Sequence, residues 1–188
     1  MNHHFDWIAP FYDRALPFSR LERMLDVLSL PCDGLLLDAG GGTGRVASAL
    51  RPYLDDVLVA DVSAGMLAQA RAKGLSALNA QSEYLPFADD SFDRILMVDA
   101  LHHVIHQAET VSELYRVLKP GGRLVIEEPD VRTFPVKLIA LAEKLAFMRS
   151  HFLAPDEIAA LFPKQAKTQI ENQDYIAWVI VGKPGVLA

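Results

Sequence analysis

An acidic side chain followed by a cluster of glycines stands in the first quarter of the chain. The stretch LLLDAGGGTGRVA, residues 35–47, places Asp38 at the end of an apolar run and then Gly40, Gly42 and Gly44 at alternate positions. Glycine has no Cβ atom, so it allows positive φ and lets a ligand lie directly against the main chain. A helix that starts just after such a turn also points its N-terminal N–H groups at the ligand. The pattern therefore predicts a small-molecule site rather than an ordinary tight turn.

Two classes of ligand fit this turn. The stretch GTGRVA, residues 42–47, matches a dinucleotide fingerprint, and Asp61 follows 19 residues after Gly42 (61 − 42), the distance at which an acid binds a ribose. Asp38 argues against that class, because a carboxylate two residues before Gly40 would repel a pyrophosphate. The same carboxylate suits S-adenosylmethionine (SAM), which carries an ammonium group and no phosphate. The residues alone leave an NAD-binding oxidoreductase open as the alternative.

The elements that must hold this turn alternate between short apolar runs and helical patterns. Runs that are apolar throughout are typical of parallel strands covered on both faces, and repeated strand–helix units predict a doubly wound α/β fold. Two further runs near the end predict an antiparallel hairpin that completes the sheet. We predict strands at 34–39, 56–61, 75–80, 91–99, 122–128, 166–172 and 174–184, and helices at 19–30, 44–50, 63–73, 108–118, 134–149 and 154–162.

Two of these helices have recognisable starts. Ser19, with Glu22 three residues later, forms a capping box and predicts a helix that begins at Ser19. Ser63 can cap the helix that follows Asp61, because serine is a preferred N-cap residue. That arrangement would leave the Asp61 carboxylate for a ligand.

Composition limits the function classes. The chain has 188 residues, of which 51% are hydrophobic, and we expect one domain over residues 1–188. Its net charge of −6 disfavours nucleic-acid binding, which needs basic surface. The single cysteine, Cys32, excludes an internal disulfide and suits a reducing cytoplasm. No apolar run approaches the ~18 residues of a membrane span. A cytoplasmic protein that acts on a small molecule is the expectation.

Five ordered stretches together resemble class I SAM-dependent methyltransferases, most closely the branch that contains the ubiquinone/menaquinone biosynthesis C-methyltransferases, with a type 11 methyltransferase domain. They are FDWIAPFYDRAL, LLLDAGGGTG, VADVSAGMLAQAR, YLPFADDSFDRILMVDALHHV and ELYRVLKPGGRLVIEEPD. The resemblance implies a Rossmann-like seven-stranded sheet of order 3-2-1-4-5-7-6, with strand 7 antiparallel and helices on both faces. It also implies methyl transfer from SAM to a small-molecule acceptor, with S-adenosylhomocysteine (SAH) as the product.

The resemblance also implies roles for individual residues. Asp38 and the glycines would face the methionine part of SAM, and Asp61 would accept hydrogen bonds from both ribose hydroxyls. Where the family usually has an aspartate for the adenine amino group, this chain has Gln81, whose amide oxygen can still accept a hydrogen bond. The expected cofactor-binding residues are Tyr12, Asp38, Ala39, Gly40, Gly42, Gly44, Asp61, Val62, Met66, Gln81, Ser82 and Asp99.

A base is needed only if the accepting atom holds a proton. His102 and His103 lie at the predicted end of the fourth strand and are candidate catalytic bases, since histidine titrates near neutral pH. The alternative is that they only pack this turn. Glu127 and Glu128 are neighbours in a strand, so only one of them can face the cleft. The histidines lack the carboxylate context of a metal site, and we expect no metal.

Two helical segments are expected to cover the site. Residues 1–30 would form N-terminal lid helices, and residues 133–162 a helical insertion. The pattern of 134–149 is apolar around more than one helical face. The chain's own core, an apolar or aromatic acceptor, or a second copy in a homodimer could each bury that surface. A SAM-binding regulatory protein without catalysis is the second alternative.

Overall fold

A seven-stranded sheet forms the centre of the computed structural model, which describes residues 4–145 and 150–185, with side chains except those of 4–8, 139 and 142–145. The strands are β1 (Leu35–Ala39), β2 (Asp56–Asp61), β3 (Ser76–Asn79), β4 (Phe92–Val98), β5 (Leu118–Pro129), β6 (Lys167–Gln173) and β7 (Ile176–Gly182). Their order is β3-β2-β1-β4-β5-β7-β6. Strand β7 runs antiparallel to β5 and β6, and the other pairs are parallel. The predicted fold class and strand order are confirmed.

Helices pack on both faces of this sheet, as predicted. They are α1 (His4–Ala15), α2 (Leu21–Leu28), α3 (Arg45–Leu50), α4 (Ala64–Ala72), α5 (Gln107–Val117), α6 (Phe134–Leu145) and α7 (Pro155–Ala160). The helix predicted over 134–149 is α6 as far as Leu145, and its last four positions, 146–149, lie outside the described residues. No helix among the described residues is long and apolar enough to cross a membrane.

The core consists of two clusters, one on each side of the sheet. Neighbouring strand residues alternate between them, so Leu36 belongs to one cluster and Leu37 to the other. The first cluster includes side chains of α2, α3 and α4, and the second includes side chains of α5 and α7. Both faces of the central strands are therefore buried, which explains why their sequences are largely apolar, whereas the edge strand β6 is mostly exposed and polar.

The carboxyl ends of four parallel strands meet at one edge of the sheet. Strands β1, β2, β4 and β5 end there at Ala39, Asp61, Val98 and Pro129. Ligands of open α/β sheets bind at this edge, outside the strand ends. The edge therefore brings the glycine turn, Asp61 and the segments after β4 and β5 into one region.

Of the two predicted helix starts, one is wrong and one is confirmed. Helix α2 begins at Leu21 with Arg20 at its N-cap and no side-chain cap, so the capping box predicted at Ser19 does not form. The Arg20 side chain instead bonds to Glu127 on β5, with 3.0 Å between Nε and Oε1. That long-range ion pair fixes the entry of the helix. At α4 the Ser63 hydroxyl does accept the Met66 N–H, at 3.1 Å.

Candidate active site

The glycine turn follows β1 and lies against the end of β4. Gly40, Gly42 and Gly44 have φ of +67°, +56° and +69°, the left-handed region that glycine tolerates best. A Cβ atom on Gly40 would lie 2.8 Å from the Cβ of Ala100, which follows β4. The Gly40 N–H also donates to the Ala60 carbonyl at 2.7 Å. Bare backbone is therefore required where the first and fourth strands end.

Asp38 carries a buried carboxyl group beneath this turn. Its exposed fraction is 1%, and neither carboxyl oxygen has a hydrogen-bond partner among the described residues. Burial raises its pKa to about 7; the Ala47 backbone N–H, which is close to the carboxyl group but outside hydrogen-bond geometry, and the Arg45 charge offset only part of that rise. A Cβ atom on Gly41 would lie 2.4 Å from the Asp38 Cγ, so the backbone passes directly over the carboxyl group. A buried acid without a partner fits the ammonium group of SAM.

Asp61 ends β2 and holds the turn from the other side. One of its carboxylate oxygens accepts the Gly42 N–H at 2.9 Å, and the other accepts the Ser63 N–H at 2.8 Å. A Cβ atom on Gly42 would lie 3.9 Å from both the Asp61 Oδ2 and the Met66 sulfur, so the predicted ribose and adenine residues adjoin the turn. Asp61 thus already has a structural role, and its ribose contact stays a prediction.

The other predicted adenine residues differ in exposure. Val62 is 62% exposed, whereas Met66 and Ser82 are buried. Gln81 is exposed in the loop after β3. The Ala39 side chain packs in the core, so Ala39 could contact a ligand through its backbone alone. An exposed valine next to a buried methionine is compatible with one flat apolar surface for the adenine ring.

Helix α1 is held beside the glycine turn by hydrogen bonds and an ion pair of residues that the sequence did not indicate. The Asp13 carboxylate accepts the Thr43 hydroxyl at 2.5 Å and pairs with the Lys73 ammonium group. Lys73 also donates to the Thr43 carbonyl at 2.7 Å. Their spacing along the chain, 30 residues from Asp13 to Thr43, gave no signal of this contact. The contact places the predicted N-terminal lid beside the turn.

Arg45, Asp99 and Tyr12 form a second contact between the lid and the site. Arg45 is the first residue of α3, and its guanidinium lies 2.9 Å from a carboxylate oxygen of Asp99. The guanidinium carbon lies 5.9 Å from the centroid of the Tyr12 ring. Burial raises the pKa of Tyr12, and the Arg45 charge offsets part of that rise. Two predicted residues, Tyr12 and Asp99, are thus joined by Arg45, which the sequence analysis missed although it directly follows Gly44.

The two histidines after β4 have different surroundings. His102 is 5% exposed, and its Nδ1 lies 2.5 Å from the Oε2 of Glu128. His103 is half-buried, with Nδ1 3.3 Å from the Ser150 hydroxyl. Burial, together with the His102 charge, lowers the pKa of His103 to about 4. Of the two predicted bases, His102 therefore has the acidic partner, and His103 is held neutral at pH 7.

The neighbouring acids of β5 have separate partners, in keeping with the alternation of a strand. Glu127 is fully buried and bonds to Arg20 and to the indole N–H of Trp178, the latter at 2.8 Å. Burial raises the pKa of Glu127, and Arg20 offsets part of that rise. Glu128 bonds to the His102 segment on the opposite side. Glu127 and Glu128 therefore do not form a dyad.

Within the residues that the structure describes, no group of three or more His, Cys, Asp or Glu side chains is arranged to hold a metal ion. His106 is exposed at the N-terminus of α5, whereas His102 points its Nδ1 at Glu128. The ionisable groups near the strand ends are carboxylates, imidazoles and one guanidinium.

Comparisons with known proteins define the class. Residues 37–126 match the family described as methyltransferase domain. The fold matches a solved SAM-dependent methyltransferase of Thermotoga maritima, described as a possible histamine N-methyltransferase, with a TM-score of 0.80 and 25% identity over 97% of this chain and 100% of that one. Residues 37–126 therefore form a methyltransferase domain, and the fold is that of the class I SAM-dependent methyltransferases, as the sequence predicted. SAM is the cofactor of that class.

Among curated relatives, the chain is similar to enzymes of quinone biosynthesis. It is 34% identical to a demethylmenaquinone methyltransferase of Clavibacter sepedonicus, over 76% of this chain and 58% of that protein. It is 37% identical to a ubiquinone/menaquinone biosynthesis C-methyltransferase of Geotalea daltonii, over 66% of this chain and 60% of that protein. The matched region spans about three fifths of each of these relatives.

Proposed function

We propose that this protein transfers a methyl group from SAM to a small apolar or aromatic acceptor. The observation that carries the proposal is Asp38, a buried carboxyl group without a hydrogen-bond partner among the described residues, placed under a turn of bare backbone. Such a group is unfavourable in the protein by itself and becomes favourable when a cation binds to it. The ammonium group of SAM is such a cation, whereas a dinucleotide pyrophosphate is not.

The methionine part of SAM carries both charges, and two residues of the site match them. Asp38 would accept the ammonium N–H groups, and the Arg45 guanidinium would bind the carboxylate with the donors that Asp99 leaves unused. Bound SAM supplies a methyl group on a sulfonium, an activated donor that leaves as a neutral thioether. The protein's part is to align the acceptor with that methyl group and to exclude water.

The remaining cofactor contacts follow the edge of the sheet. Asp61 would bind the ribose hydroxyls while it keeps its bonds to the Gly42 and Ser63 N–H groups. Val62 and Met66 would line one face of the adenine ring, with Gln81 or the Ser82 backbone at its amino group. Tyr12 would close this surface from α1, whose Asp13 is bonded to Thr43 and Lys73.

An apolar acceptor is supported by the exposed surface of α6. Phe134, Leu138 and Leu141 are 73%, 52% and 53% exposed, and their spacing places them along one side of the helix. Strand β5 ends at Pro129, at the ligand-binding edge, and α6 begins shortly afterwards at Phe134. The relatives' names point to quinones, so we propose a reduced quinone or a similar ring as the acceptor. A cytoplasmic location accompanies this proposal, and a homodimer stays a prediction.

Ligand-dependent melting tests the cofactor. SAH at about 100 times its Kd should stabilise the protein by about 2.7 kcal/mol, because it binds the folded chain alone. NADH at the same concentration serves as the control and should leave the melting temperature unchanged. Stabilisation by NADH but not by SAH would overturn the proposal in favour of an oxidoreductase.

Product detection tests catalysis separately from binding. The protein would be incubated with SAM and 1,4-naphthohydroquinone, and the released SAH and the methylated ring would be measured by mass spectrometry. Formation of both in equal amounts is expected. Stabilisation by SAH without any turnover on this acceptor or on a panel of phenols would favour the alternative of a SAM-binding regulatory protein.

A further inference from the structure

We infer that Glu128 and His102 form a proton-accepting pair in which His102 takes the acceptor's proton and Glu128 is its positioning residue. The inference rests on the proposed function and narrows the acceptor to compounds that must lose a proton when methylated. Nothing in the comparisons assigns a role to Glu128.

Glu128 is fixed by three contacts from one short segment. It is 4% exposed, and its Oε1 accepts the N–H groups of Ala100 and Leu101 at 3.0 and 2.7 Å. Its Oε2 lies 2.5 Å from His102 Nδ1. A carboxylate with two backbone donors on one oxygen is held in a single orientation. The turn after β4 and the end of β5 therefore form one rigid unit.

The carboxylate decides which ring nitrogen of His102 carries the proton. An ionised carboxyl group can only accept, so the Nδ1 that faces it must be the N–H donor. In the neutral ring the proton-free nitrogen is then Nε2, which is the basic one. When Nε2 takes a proton, the charge that appears on the ring lies next to the Glu128 carboxylate, which stabilises it.

The His102 ring is in contact with two other rings. Phe152 stacks on His102 with 4.4 Å between centroids and 11° between planes, and the His103 ring lies at 4.0 Å. The His102 carbonyl also accepts the His151 N–H at 2.7 Å. His103 stays neutral near pH 7, so a single positive charge would form on this pair of rings. The Glu128 carboxylate and the two neighbouring rings therefore restrict the orientation of the His102 ring, as a base in a fixed position requires.

The chemistry of methyl transfer explains why a proton acceptor would be placed here. The bond from sulfur to the methyl carbon breaks with its electron pair going to sulfur, while a carbon of the acceptor ring forms the new bond. The leaving group is neutral, so the acceptor must release one proton for each methyl group gained. His102 Nε2 would take the hydroxyl proton of a phenol or hydroquinone, which makes the ring carbon beside it nucleophilic. The ring proton displaced by the methyl group then goes to the aromatising oxygen. His102 then releases its proton to solvent and returns to the neutral state.

The tautomer of His102 is the first test, and it needs no acceptor. Long-range nitrogen–proton NMR of protein labelled with ¹⁵N-histidine should show the Nδ1–H tautomer for His102 in the presence of SAH. In Glu128→Gln the amide can place its NH₂ against Nδ1, so the Nε2–H tautomer should appear. Glu127→Gln is the matched control, a buried acid one residue earlier, and should leave the tautomer unchanged. An Nε2–H tautomer in the unaltered protein would overturn the inference.

Turnover on 1,4-naphthohydroquinone is the second test. Glu128→Gln should lower kcat by about 10²- to 10⁴-fold, the usual size of general-base catalysis, with little change in the SAH Kd. Glu128→Asp should restore part of that loss, which a purely structural role would not predict. If Glu128→Gln turns over like the unaltered protein, the inference is wrong although the proposed function stands. If SAH does not bind at all, the proposed function itself fails.

Discussion

The buried acids at the two ends of the cleft, the glycine turn and the ends of β4 and β5, differ in their hydrogen-bond partners. At the glycine turn, Asp38 has no hydrogen-bond partner among the described residues, and burial raises its pKa to about 7. At the ends of β4 and β5, Glu127 bonds to Arg20 and Trp178, and Glu128 bonds to Ala100, Leu101 and His102. The acid at the glycine turn has no hydrogen-bond partner among the described residues, whereas both acids of β5 are paired with other groups of the protein.

This difference indicates what each end contributes. An unpaired buried acid lowers the stability of the protein, and a bound cation would offset that loss, so we expect Asp38 to act in ligand binding. A paired acid fixes its neighbours, so Glu127 fixes α2 and Glu128 fixes the His102 turn. Substitutions at the first end should therefore change affinity, and substitutions at the second should change stability or turnover.

Loss of Glu127 should have the largest effect on stability. Glu127→Ala should lower the free energy of unfolding by about 3–5 kcal/mol, since it breaks a buried ion pair and removes the acceptor of the Trp178 N–H. The lower end of that range is expected, because the Arg20 side chain is 31% exposed and can be hydrated. Urea unfolding measures this change. If Glu127→Ala weakens SAH binding more than it weakens folding, Glu127 belongs to the first end and the comparison fails.

Asp38 should show the reverse behaviour. Asp38→Asn should raise the SAH Kd about 10- to 100-fold, since a hydrogen bond between charged groups contributes about 1.5–3 kcal/mol. Without SAH the melting temperature should stay the same or rise, because the variant removes a buried charge. Calorimetric titration measures the Kd, and thermal melts measure the melting temperature. Asp56→Asn, at the start of β2 and away from the glycine turn, is the control. A destabilised variant with unchanged affinity would make Asp38 a structural residue.

Asp38, at the glycine turn, and His103, after β4, should contribute slopes of opposite sign to the dependence of stability on pH. The pKa of Asp38 rises from 3.8 to about 7 on folding, so the folded protein binds an extra proton between these values and stability falls as pH rises. The pKa of His103 falls from 6.5 to about 4, so the unfolded chain binds the extra proton and stability rises with pH. Each group contributes at most about 1.4 kcal/mol per pH unit.

Thermal melts between pH 4.5 and pH 6.5, a window of roughly two pH units inside both transitions, test these signs. Relative to the unaltered protein, Asp38→Asn should make the slope of stability against pH more positive. His103→Gln should make it more negative. Equal slopes in all three proteins would show that neither group changes its pKa on folding.

The smallest effect is expected on the exposed face of α6. Leu138→Ser should raise the KM for an apolar acceptor by about tenfold, since the burial of one leucine contributes about 1.5–3 kcal/mol and this side chain is already partly covered. The SAH Kd should not change. Lys137→Ser, at the neighbouring exposed position, is the matched control. An unchanged KM would remove this face from the acceptor site.

Local patterns predicted that the glycine turn and its neighbouring acids lie in one region, and their role in binding stays a prediction. Asp38, Gly40, Gly42 and Asp61 lie close to one another because the carboxyl ends of parallel neighbours always meet at one edge. The cap at Ser63 formed because its partner, Met66, is three residues away. The capping box at Ser19 does not form, and the N-cap residue Arg20 bonds instead to Glu127. That partner is 107 residues away, so no local pattern could indicate it.

Short-range patterns were enough to predict the succession of strands and helices along the chain, the glycine turn and the acid that precedes it, because these features depend on local periodicity and on φ. Only the packing of distant segments established that Asp38 lacks a hydrogen-bond partner among the described residues and that His102 faces the Glu128 carboxylate. Glu128 and His102 are 26 residues apart, and Asp13 is 60 residues from Lys73. Burial and pairing depend on neighbours in space, and those neighbours exist only once the sheet has brought its strand ends together.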